Sequence, residues 1–131
     1  LNNNKSILKR AILEKKEEGK TIIIASHLLE NFEKYADRIF FLFSGELELF
    51  LDKKQGYTDQ GIYIKLENQA ISEIQQMFPH LYTVKLNNQE ILIKLNEKEQ
   101  LTSILEELIK NDISNFSVGF LSLSDAYQLK F

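Results

Sequence analysis

A chain of 131 residues in which 44% are hydrophobic suits one domain or two small ones and is too apolar for a disordered segment. The formal net charge of −3, with cations and anions interspersed, argues against nucleic-acid binding as the main role, because a phosphate-binding face needs clustered Lys and Arg. With no cysteine, disulfides and thiolate metal sites are excluded.

The opening Leu1-Asn2-Asn3-Asn4 carries no signal-peptide pattern. Because the first residue is not Met, the chain is expected to be a piece of something longer. Lys5 to Glu18 is predicted to be a helix, with Leu8, Ala11 and Ile12 on one face, Ile7 beside them, and Gly19 as its stop. Thr21-Ile22-Ile23-Ile24-Ala25 is a continuous apolar, mostly β-branched run. It predicts a strand buried on both faces, as in a parallel sheet. Ser26-His27 stands at its carboxyl end, where open α/β sheets bind their ligands. Leu28, Leu29, Phe32, Tyr35 and Ala36 recur at helical spacing. Ile39–Phe43 predicts a second buried strand. Ser44-Gly45 is a two-residue turn, and Glu46–Leu51 alternates Glu with Leu and Phe, which completes a β-hairpin.

The composition changes at residues 52–61, a polar, Gly-marked connector that divides the chain into 1–51 and 62–131. Beyond it, Ile62, Ile64 and Leu66 alternate as a strand. Ile71, Ile74, Met77 and Phe78 mark a helix closed by Pro79. Tyr82, Val84 and Leu86 form a strand that turns at Asn87-Asn88 into another, with Ile91, Ile93 and Leu95. Leu101, Ile104, Leu105, Leu108 and Ile109 predict an amphipathic helix, and Ile113–Val118 a last strand. Ser122 is a candidate cap for a short final helix, with Asp125 three residues on. The order β-α-β-β-α-β is that of a ferredoxin-like sandwich. The longest apolar run, Ile39–Phe43, falls far short of the roughly 20 residues a membrane-spanning helix needs.

Gly19-Lys20-Thr21 imitates a phosphate loop, but Glu14 occupies the position of that motif's first Gly, and the triplet closes a helix instead of opening one. No set of His or carboxylates has metal-ligand spacing. His80 follows Pro79 in a turn, and Glu97, Glu99, Glu106 and Glu107 belong to a wet helix face. Tyr63, Tyr82 and Phe116 could line a ligand-binding face, but aromatics on strands usually serve the core.

Glu17 to Leu47 resembles the end of the ATP-binding subunit of ABC transporters: helix, Glu-Gly-Lys-Thr, apolar strand, Ser-His, helix, Asp-Arg, apolar strand, Gly turn. The spacing from Gly19 through His27 and Asp37-Arg38 to Gly45 fits throughout. The resemblance implies that residues 1–51 are the C-terminal remnant of a P-loop NTPase sheet and that His27 is the switch histidine, which reaches the γ-phosphate of ATP. It makes Leu1-Asn2 a remnant of the family's D-loop, with Asn2 where Asp is usual. The phosphate-loop Lys, the glutamine loop, the signature motif and the catalytic Glu are absent from these residues; in the family they lie upstream. The chain alone is therefore expected not to be catalytic. The intact subunit is expected to use ATP and Mg and to pair with a second ATPase subunit. It is expected to dock on a transmembrane permease at the cytoplasmic face of the membrane. Ser122-Leu123-Ser124-Asp125-Ala126-Tyr127 is similar to the Ser-Leu-Glu-Asp-Val-Phe/Tyr ending of drug- and peptide-export subunits. Judged by charge pattern alone, Asp125 is a helix-start carboxylate, and Leu123 and Tyr127 are core.

Two alternatives stand beside this expectation. Residues 56–131 could be a regulatory module that binds a small molecule. The chain could also be a structural dimerisation module, with Leu47, Leu49 and Leu51 exposed to a second copy.

Overall fold

The computed structural model describes residues 2–26 and 32–130. The fold is mixed α and β, and the chain divides into two compact units, residues 1–55 and 56–131.

The first unit begins with helix α1 (Asn2–Glu17). Lys15 and Lys16 lie in its last turn, where cations meet the negative end of the helix dipole. Gly19 ends it at φ +80: the Gly19 N–H donates to Lys16 O and the Lys20 N–H to Lys15 O. This pair of bonds satisfies the last carbonyls and needs the left-handed conformation that glycine adopts freely. Lys16 then ties the helix to the segment before the hairpin, with its ammonium 2.9 Å from Asp37 Oδ1 and 3.3 Å from Tyr35 O.

Residues 21–25 do not form the predicted strand. They have no regular secondary structure, and Ile23 is 91% exposed. A run of this kind is held as an interior strand only by neighbours on both edges and layers on both faces, and no strand among the described residues pairs with it. Of the helical spacing predicted for 28–36, residues 28–31 lie outside the described residues. Its last part is a turn in which Tyr35 and Ala36 donate to Phe32 O.

Strands β1 (Arg38–Phe43) and β2 (Glu46–Asp52) form the predicted hairpin. Both turn residues have positive φ, Ser44 at 50° and Gly45 at 81°, the mirror-image geometry that matches the twist of paired strands. A register shift between Ile39 and Phe40 marks a bulge in β2, with Phe50 as the extra residue. β1 is not buried throughout, as its apolar run predicted. Only Phe41 is enclosed, against Phe50 of β2 at 5.4 Å between ring centroids, while Phe40, Leu42, Phe43 and Leu47 are exposed.

The second unit opens with the two-residue strand β3 (Gly56–Tyr57). It continues through β4 (Tyr63–Leu66), helix α2 (Ile71–Met77), β5 (Tyr82–Lys85) and β6 (Ile91–Lys94). A 3-10 turn (Lys98–Gln100) leads into α3 (Leu101–Lys110), followed by β7 (Phe116–Gly119) and α4 (Leu123–Lys130). The four longer strands lie in the order β5-β6-β4-β7, and every neighbouring pair is antiparallel. The entry to α3 is fixed by a reciprocal cap, in which the Glu97 carboxylate accepts from the Gln100 amide and the Gln100 side chain accepts from the Glu97 amide.

Alternation along the strands gives this sheet two different faces. Ile64, Leu66, Ile91 and Ile93 point into one core with Ile74 and Phe78 on the α2 side and Ile104 and Leu108 of α3. Ile113, predicted to open the last strand, instead packs into that core from the loop before β7. Tyr63, Lys65 and Leu92 point to the opposite face. Among the described residues, no helix is long and apolar enough to cross a membrane.

Candidate functional site

His27, the one residue to which the sequence assigns a chemical role, lies outside the described residues. The Gly19-Lys20-Thr21 triplet is described, and it stands at the carbonyl end of α1. Phosphate is held by the amide end of a helix, so the polarity here is wrong for a nucleotide. The triplet is therefore not a phosphate loop, and no chemical step is assigned to it.

The described polar site lies on the second face of the β5-β6-β4-β7 sheet. Lys65 stands on a central strand between core residues Ile64 and Leu66, and strand alternation turns it away from them. The chain leaves β7 at Gly119 and returns through Leu121 and Ser122 into α4. Ser122 Oγ accepts from the Asp125 N–H at 3.1 Å, which caps the helix as expected. The Asp125 carboxylate points to the sheet, with Oδ2 2.6 Å from Lys65 Nζ, and Asp125 is only 4% exposed. Glu90 Oε1 stands 4.0 Å from the same ammonium. Tyr63, Lys65, Leu92, Ser117, Leu121 and Asp125 are among the residues lining a cleft of about 220 Å³. That volume is below the ~300–1,000 Å³ of typical small-molecule sites.

A second polar cluster adjoins it. Asp59 Oδ2 accepts from the Tyr63 hydroxyl at 2.6 Å, and Asp59 Oδ1 accepts from the Gly61 N–H at 2.8 Å and lies 3.8 Å from Lys94 Nζ. The Lys94 ammonium sits 5.6 Å from the centre of the Tyr63 ring. Partial burial pushes the Asp59 carboxyl up, but the Tyr63 and Gly61 hydrogen bonds and the charge of Lys94 outweigh it and hold the group below its ordinary value. Burial first, and then the Asp59 carboxylate, push the Tyr63 hydroxyl far above the usual phenol range.

Of the aromatics noted in the sequence, Tyr63 is buried, Phe116 packs beside the core and Tyr82 is exposed. They do not converge on one surface: Phe116 is on the core side, and Tyr63 and Tyr82 on the other. His80 and the carboxylates of Glu97, Glu99 and Glu106 are exposed, and Glu107 is half-buried. The Lys65–Asp125 pair was not anticipated. Its signal was a lysine between two core positions of a strand, Ile64-Lys65-Leu66, which asks for a counter-charge on the second face. Among the described residues, no group of three or more His, Asp or Glu is placed to hold a metal ion.

No protein-family model matches the chain, and no curated protein matches it.

Proposed function

We propose that this chain is the C-terminal part of an ABC transporter ATP-binding subunit, in which residues 1–51 complete the ATPase domain and residues 62–131 form a ferredoxin-like accessory domain. The observation that carries the proposal is the run from Glu17 to Leu47, whose landmarks Gly19, His27, Asp37-Arg38 and Gly45 keep the family's spacing. The first unit supports it independently. Its Ile22–Ile24 run and the outer residues of its hairpin are apolar yet exposed, as expected for pieces of a larger sheet. The sheet order and crossovers of the second unit support the ferredoxin-like assignment.

In the intact subunit His27 contacts the γ-phosphate and helps couple ATP hydrolysis to transport of a substrate through a permease. Phosphoryl transfer depends on positioning and charge neutralisation by many groups, so one imidazole does not suffice and this chain alone turns over no ATP.

The deciding observation is the coding sequence upstream of Leu1. A phosphate loop, signature motif and catalytic Glu encoded there in frame support the proposal; a start codon directly before Leu1 overturns it. In the subunit so defined, His27→Ala is expected to lower ATPase turnover by about 10²–10³-fold, the cost of losing one transition-state donor. Unchanged turnover would reject the role of His27.

A further inference from the structure

α4 closes the second face of the sheet, and it is attached differently from the helices on the first face. The α2 and α3 side is one apolar cluster that includes Ile64, Ile74, Ile93 and Leu108. None of the buried residues of α4, Leu123, Asp125 and Ala126, belongs to that cluster. With the sheet between them and no buried residue of α4 in that cluster, one layer can leave without opening the other.

Two polar attachments of α4 reach separate places. Asp125 meets Lys65 on β4, and Gln128 Oε1 accepts from the Asn87 N–H at 2.9 Å in the β5–β6 connection. α4 has eight residues, well below the roughly 12–15 at which an isolated helix becomes even marginally stable in water. It is helical while docked. Asp125 is also the one charged residue buried among the described residues. Forming a buried ion pair costs desolvation, and breaking it by removing one partner leaves a buried charge uncompensated, so the Lys65–Asp125 pair is a selective point of release.

We propose that α4 is a strap latched by the Lys65–Asp125 pair. It opens as a unit when the pair breaks, while β4–β7, α2 and α3 stay folded. Because Leu121, Ser122 and Asp125 form one wall of the cleft, opening of the strap widens it. The device does not depend on the transporter proposal.

Hydrogen exchange of the full chain, read by mass spectrometry, tests this. In the wild type the amides from Ala126 onward are expected to exchange in step, through an opening at least tenfold more frequent than that of Ile64, Ile93 and Leu108. Asp125→Asn and Lys65→Met are expected to speed exchange in α4 at least tenfold more and leave the core unchanged, whereas Lys65→Arg, which keeps the cation, has a much smaller effect. Exchange of α4 at the core's rate, or a gradient of rates rising toward the end of the helix, overturns the proposal. Equal acceleration by Lys65→Arg and Lys65→Met also overturns it. The wild-type comparison stands whether or not a variant folds.

Discussion

Asp59 shows how one short segment turns a strand residue into a fixed polar cluster. Its carboxylate is claimed by the Tyr63 hydroxyl and by the Gly61 amide, and a Cβ added at Gly61 would stand 2.9 Å from Asp59 Oδ1 and from Lys94 Cε. Lys94 can swing aside, but Asp59 cannot move without losing a bond. Gly61→Ala is therefore expected to cost about 1 kcal/mol, the worth of one such hydrogen bond, in a denaturant titration of the full chain. The linked protonations give opposite pH limbs. Asp59 is held below its ordinary value in the folded state, so its contribution is present at neutral pH and lost as pH falls below the normal carboxylate range. Tyr63 is raised, so its contribution is complete below about pH 10, the unfolded phenol value, and is lost as pH rises beyond it. Tyr63→Phe should abolish the alkaline limb and weaken the acid one, as read from denaturation midpoints across pH. An unaltered alkaline limb would mean that Tyr63 is not its source.

At the scale of elements, each stable piece has a local cause that can be tested. The β1–β2 turn places Ser44 at a positive φ, which costs a non-glycine residue roughly 1–2 kcal/mol and is tolerated best by Gly and Asn. Ser44→Asn is expected to stabilise the hairpin by about 0.5 kcal/mol, seen as slower exchange of the β1 and β2 amides. Leu108, fully buried on α3, is expected to cost about 2–5 kcal/mol when cut to Ala, seen as earlier unfolding of the second unit in denaturant. Both elements are legible in the sequence: Ser44-Gly45 between apolar runs marks the hairpin, and the i, i+3, i+4 spacing of Leu101, Ile104, Leu105 and Leu108 marks the helix. The Lys65–Asp125 pair is not legible in the same way. Sixty residues separate its partners, and nothing local to Asp125 distinguishes a carboxylate that caps a helix from one that reaches a strand. Local pattern and cap chemistry assigned it to the helix start; the sheet supplied the counter-charge.

Across the whole molecule the two units differ in how completely they cover their apolar residues. The second unit folds around a closed core, and its element order follows from alternation and turn signals. The first has the same apolar patterning and little to cover it, with Phe41 and Phe50 its buried apolar pair among the described residues. The misassigned strand at 21–25 has this origin: composition reports what a segment can bury, and not whether neighbours are present to bury it. Ile23→Lys is expected to change stability by less than about 0.5 kcal/mol, as for an ordinary surface site, and to reduce self-association in sedimentation. A large loss of stability would mean that Ile23 is covered in solution. The sheet register has one more consequence. Tyr63, where β4 begins, is the partner of Gly119, where β7 ends, so the chain enters and leaves the second sheet side by side. A short linker from Gly119 back to Tyr63 would therefore close the four strands and the two helices of the first face into a ring without changing their strand order.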